Sequence, residues 1–156
     1  MKKRVISSVL TTLYLTGCSQ SASTHIDKDP YTIQTVQYSK VINFMDTKSA
    51  EIRLLCNVTY MNGVSKNPDN INQNFLVGIY TTDENEKFDF KVTLDSKLPI
   101  KVENIQQESE LLKNHGVKNK WAKYFLYSFI DNEKKSLNLQ LRYNNELKQV
   151  VFANNL

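Results

Sequence analysis

From Tyr31 onward the apolar residues of this chain recur mainly at every second position. In "EIRLLCNVTYM" (51–61), Ile52, Leu54, Cys56, Val58 and Tyr60 share one face, and Arg53, Leu55, Asn57, Thr59 and Met61 the other. Successive side chains of a β-strand point to opposite faces, so this alternation predicts a strand with one face buried. "KFDFKVTL" repeats it with Phe88, Phe90, Val92 and Leu94, and "SLNLQLRY" with Leu137, Leu139, Leu141 and Tyr143. "LPIKVENI" places Leu98, Ile100 and Val102 on one side, and Pro99, which lacks a ladder donor, marks an edge or a strand start. "NFLVGIY" and "WAKYFLYSFI" are apolar at both parities, as central strands covered on both faces would be.

These runs predict strands over 32–44 (with a break near Ser39), 50–61, 74–81, 87–94, 98–105, 120–130, 136–143 and 147–153. "DENE" (83–86), "DNEKK" (131–135) and "NNE" (144–146) supply the turn residues of short hairpin loops. Only "QQESELLKNHG" (106–116) reads as helical, for one or two turns. Seven or eight short strands in about 125 residues predict an all-β domain, a single antiparallel β-sandwich of immunoglobulin-like architecture. A small β-barrel is the alternative. The pairing of one Trp with two Cys that marks antibody domains is missing, so the label is architectural.

The N-terminus departs from this pattern. Lys2, Lys3 and Arg4 precede a short apolar run from Val5 to Leu15, interrupted by Ser7, Ser8, Thr11 and Thr12, and Thr16 and Gly17 lead to Cys18. A charged start, a short apolar core and small residues before the cut form a signal-peptide layout, too short to span a bilayer. Leu15-Thr16-Gly17-Cys18 resembles the lipobox of bacterial lipoproteins. The resemblance implies a signal peptide over 1–17 and a Cys18 that carries a diacylglyceryl group on its sulfur and, after cleavage, an acyl chain (typically palmitate) on its new amino group. It also implies a location in the cell envelope. Ser19, where enteric-type sorting reads Asp as a signal to stay in the inner membrane, leans towards the outer membrane. Residues 18–30 then form a tether: "SQSASTHIDKDP" is small and polar, and His25 sits in it as an exposed residue. The β-domain covers 31–156.

This division changes the charge picture. The net charge of +4 falls with the loss of Lys2, Lys3 and Arg4, leaving 17 basic residues against 16 acidic ones, well interspersed. A nucleic-acid binder needs a concentrated basic patch, so none is expected. With Cys18 acylated, Cys56 is the one remaining cysteine, on the apolar face of its strand, and is expected to be a buried small hydrophobe rather than a reactive thiol.

Candidate chemistry is sparse. Beyond Tyr31 there is one histidine, His115, in a loop beside Gly116, and no Gly-x-Ser-x-Gly or Ser-x-x-Lys stretch. Nucleophilic catalysis needs a nucleophile, a base and an orienting group, and zinc needs three or four ligands. No catalytic residue, metal site or cofactor is therefore assigned. "NPDNINQN" and "TTDENE" carry oxygens for calcium but lack the EF-hand frame. Asn57-Val58-Thr59 matches a glycosylation acceptor inside a strand and is discounted. Trp121, Tyr124, Phe125, Tyr127 and Phe129 form an aromatic run that suits a sheet core better than a ligand stripe, because it occupies both parities of one strand. The long connections 62–74 and 106–120 are candidate recognition loops.

The expectation is a lipid-anchored, non-catalytic binding or assembly domain that recruits another envelope protein, with an exposed edge strand as one means. The alternative is a carrier of a small apolar ligand or sugar.

Overall fold

The computed structural model describes residues 30–64, 71–81, 89–116, 119–131 and 133–154. Cys18, Ser19, His25 and the lipobox lie outside these residues, as do "DENE" and the first half of "NPDNINQN".

The chain runs α1 (Pro30–Gln37), β1 (Ser39–Met45), β2 (Ile52–Tyr60), α2 (Met61–Val64), β3 (Asn72–Thr81), β4 (Phe90–Leu94), β5 (Lys101–Ile105), α3 (Glu110–Asn114), β6 (Lys123–Ile130), β7 (Ser136–Tyr143) and β8 (Glu146–Ala153). The eight strands form two antiparallel sheets, ordered β1-β2-β3-β6-β5 and β4-β7-β8. The stretch β2-β3-β6-β5 opposite β4-β7-β8 reproduces the A-B-E-D and C-F-G order of a constant-type immunoglobulin sandwich. Strand β1 is an addition beside the A-strand position. The fold is thus the predicted β-sandwich, and the sheets do not close into a barrel.

Strict alternation buries most of the faces it predicts, though Ile52 at the start of β2 is half exposed and Phe88 lies outside the described residues. Leu54, Cys56, Val58 and Tyr60 of β2 meet Val92 and Leu94 of β4 and Leu137, Leu139, Leu141 and Tyr143 of β7 in one core between the sheets. Phe75 is fully buried there, with its ring 5.2 Å from Tyr60, 5.5 Å from Phe152 and 5.9 Å from Phe129. Burial pushes the Cys56 thiol up to about 12, which keeps it protonated and unreactive at neutral pH. The central strands β3 and β6 use their second face as well. Leu76 and Tyr124 pack with Met61, Ala122 and Leu112 of α3 on the outside of the large sheet. The Tyr124 ring lies across its cross-strand partner Gly78, where a Cβ would stand 2.6 Å from the ring.

Residues 30–37 correct the expected strand over 32–44. They form a helix, and the strand begins only at Ser39. Pro30 suits a first helical turn because its φ is preset and its missing N–H has no helical partner there. Ile33 and Val36 fall three apart, a helical spacing that a two-residue period cannot accommodate. The Ser39 hydroxyl then lies 2.6 Å from the Thr35 carbonyl and 2.7 Å from Thr59 Oγ1, tying the helix end to β2.

Candidate functional site

The predicted site residues scatter. His115 is the C-cap of α3, followed by Gly116 in the left-handed region that a helix-ending glycine favours. It is 8% exposed, its Nδ1 has no hydrogen-bond partner, and burial holds its pKa below the usual histidine value. The aromatic run divides. Trp121 is 69% exposed and precedes β6, with Lys120 4.8 Å over its ring. Tyr124 faces outward under α3, while Tyr127 and Phe129 face the core with Phe125 packed against it. The connection 106–120 is built as a cover: Leu112 is fully buried, Gln107 Nε2 donates to the Ala122 carbonyl at 2.6 Å, and Asn119 N donates to the Tyr124 hydroxyl at 2.7 Å. In 62–74, Asn62 accepts from Asn74 N at 2.9 Å and donates to the Asn72 carbonyl at 2.7 Å, which pins α2 to the start of β3.

Two surface features remain. The first is a cleft of about 550 Å³ at one end of the sandwich, between the β1–β2 and β7–β8 turns, bordered by Asp46, Arg53, Tyr143, Asn144 and Glu146. Asp46 Oδ1 accepts from the backbone N–H of Lys48 at 2.7 Å and of Ser49 at 3.1 Å, and its Oδ2 pairs with Arg53. Those two N–H donors, then the Arg53 charge, hold its carboxyl below the usual aspartate range. Glu146 is paired with Lys148 at 2.7 Å. The charges on this cleft are therefore paired within the chain, Asp46 with Arg53 and Glu146 with Lys148.

The second feature is apolar and lies along edge strand β5. Its path is set by a tight turn: Leu94 and Lys97 exchange backbone hydrogen bonds at 3.0 and 2.8 Å across Asp95 and Ser96, with φ values of 48° and 67°. Asp tolerates this left-handed backbone, which mirror-image hairpin turns require. Past Pro99, Ile100 N donates to the Ser128 carbonyl at 2.8 Å, and Lys101–Ile105 then pair with β6. Val102 lies opposite the inward-facing Tyr127, so the Leu98, Ile100, Val102 row belongs to the core-facing side. Yet the three are 74%, 53% and 50% exposed. The opposing sheet has three strands against five, and it does not cover this edge. A groove of about 160 Å³ runs here, lined by Leu94, Lys97, Leu98, Ile100, Phe129 and Ile130.

Single exposed apolar residues are ordinary on a protein surface. A row of three on an edge strand that pairs with β6 on one side only is different, although Pro99, Lys101 and Glu103 supply the proline and charge with which natural sheets blunt an edge. The arrangement can accept an extended segment: backbone groups of β5 offer the ladder, and the groove offers places for alternate apolar side chains. Alternation in the sequence located this row but could not show that the facing sheet stops short of it. No family model matches this chain, and no curated protein or solved structure shows significant similarity to it.

Proposed function

We propose that this protein is a lipid-anchored component of a bacterial cell envelope whose sandwich domain binds a partner protein through the β5 edge, without catalysis. The anchor is Cys18, acylated after removal of residues 1–17, and Ser19 favours the outer membrane. The observation that carries the binding reading is the apolar β5 edge, unpaired among the described residues, with its adjoining groove. The inward rings of Tyr60, Phe75, Phe129 and Phe152 pack on one another, which supports recognition at the surface over carriage of a small ligand within.

A photoreactive side chain in place of Val102, activated in intact cells, tests this. It is expected to give one discrete adduct, while the same group in place of Arg142, on the exposed outer face of β7, gives none. No adduct from position 102, or equal labelling from both, would refute the role of this edge.

A further inference from the structure

We infer that the segment received by the β5 edge is β5 of a second copy of the same chain, paired antiparallel about a two-fold axis at Val102. This inference rests on the binding role proposed above and names its partner. The evidence is the charge order along the strand. Lys101 and Glu103 flank Val102 and lie on the same, outward face, their head groups 2.6 Å apart, with Val102 on the opposite face. An antiparallel pairing centred on Val102 sets Lys101 opposite the Glu103 of the other copy, twice by symmetry, and Val102 opposite itself. Opposite charges directly across a strand pair stabilise it, and like charges do the reverse.

Other registers lose this match. Centring on Lys101 or on Glu103 sets that charge against itself. Centring on Ile100 sets Pro99 opposite Lys101, next to the axis, where proline has no N–H to give the ladder; the Val102 register moves Pro99 out to the end of the pairing, opposite Ile105. A parallel, in-register pairing would stack Lys101 on Lys101 and Glu103 on Glu103. On the core-facing side, the Val102 register sets Val102 against Val102 and Ile100 opposite Asn104 of the other copy. A two-fold contact is self-complementary and closes at two copies, which joins two five-stranded sheets into one of ten. In this register three residues of each β5, Lys101 to Glu103, face β5 of the other copy, a small contact for molecules free in solution. Two domains held on the same membrane meet at a raised effective concentration, which lets such a contact be populated.

The test uses the whole lipoprotein in its native envelope. Directly opposed residues of an antiparallel pair have Cβ atoms about 4.5–5.5 Å apart, close to disulfide range after small adjustment. Val102→Cys is therefore expected to give a disulfide-linked dimer under mild oxidation, and Arg142→Cys is expected to stay monomeric. Cys56 is buried and contributes no cross-link. Adding Glu103→Lys to Val102→Cys should lower the dimer yield several-fold, and adding Lys101→Glu as well should restore it. Dimer from Arg142→Cys in equal yield, or no recovery in the charge-swapped chain, overturns the inference. If Val102→Cys stays monomeric while the photoreactive group at 102 captures a different protein, self-pairing fails and the binding role stands. If neither reports a neighbour, both fail.

Discussion

Phe75→Ala is expected to lower stability by about 3–5 kcal/mol. Phe75 is fully buried on central strand β3 and packs against three other rings, from β2, β6 and β8. Removing it forfeits the transfer of its ring from water and leaves a cavity walled by Tyr60, Phe129 and Phe152, which belong to strands held in place by their own ladders. The site cannot collapse cheaply, so the cost should sit towards the upper end. Chemical denaturation measures it: the midpoint should fall with an unchanged slope, since the surface exposed on unfolding hardly changes. Thermal unfolding should drop by on the order of 10–20 °C. A loss under about 1 kcal/mol would mean that this aromatic cluster is not the packed centre of the sandwich.

Tyr60→Phe should cost about 1–3 kcal/mol although it removes a single oxygen. The Tyr60 hydroxyl lies 2.5 Å from Gln73 Oε1 and 2.9 Å from Asn154 Oδ1, and Gln73 Nε2 donates to Asp131 Oδ1 at 2.6 Å. A hydroxyl has one proton to give, so it serves Gln73 and accepts from Asn154 when that amide turns its Nδ2 inward, which also gives this nitrogen its partner. Burial is the main cause that raises the tyrosine to about 12, with the Asp131 charge adding to it, so it stays a neutral donor throughout the physiological range. The network ties the end of β8 to β2, β3 and the exit of β6. Phenylalanine keeps the ring packing and leaves two buried amides short of a partner. Asn154→Leu in the Tyr60→Phe background should recover part of the loss, because it removes one of the orphaned groups. An additive loss in the double variant would show that the two side chains do not act together.

Much of the sandwich was legible because one sheet face meets water and the other does not. The expected strand over 136–143 coincides with β7, where Leu137, Leu139, Leu141 and Tyr143 alternate with Asn138, Gln140 and Arg142 without a break. The doubly apolar runs gave the central strands β3 and β6 for the converse reason, since α3 and α2 cover their outer face and neither face meets water. Helix α1 was not legible. Eight residues with two spaced apolar positions carry too weak a period, and its end is tied down by Ser39 and Thr59 at a distance in sequence. Cys56 was read correctly as a core residue from its parity alone. His115 was read as a loop residue, yet it is buried, because the short helix before it folds back onto the sheet. The β5 edge was half legible. The sequence placed Leu98, Ile100 and Val102 on one side, but exposure there depends on the width of the opposite sheet, which no local pattern encodes. The polar cleft was not legible at all, as it joins residues 44–53 to 143–146 through tertiary packing.

The functional proposal rests on the proposed tether, because a lipid on Cys18 would place the domain on a membrane and give its edge strand neighbours to meet. The intact mass and first residue of the protein extracted from its native membrane test this most directly. The account predicts a chain that begins at Cys18 and carries the added mass of a diacylglyceryl group and an amide-linked acyl chain, with Cys18→Ser leaving an uncleaved, unacylated form. A mature chain that retains residues before Cys18, or that begins at Cys18 without lipid, would contradict it.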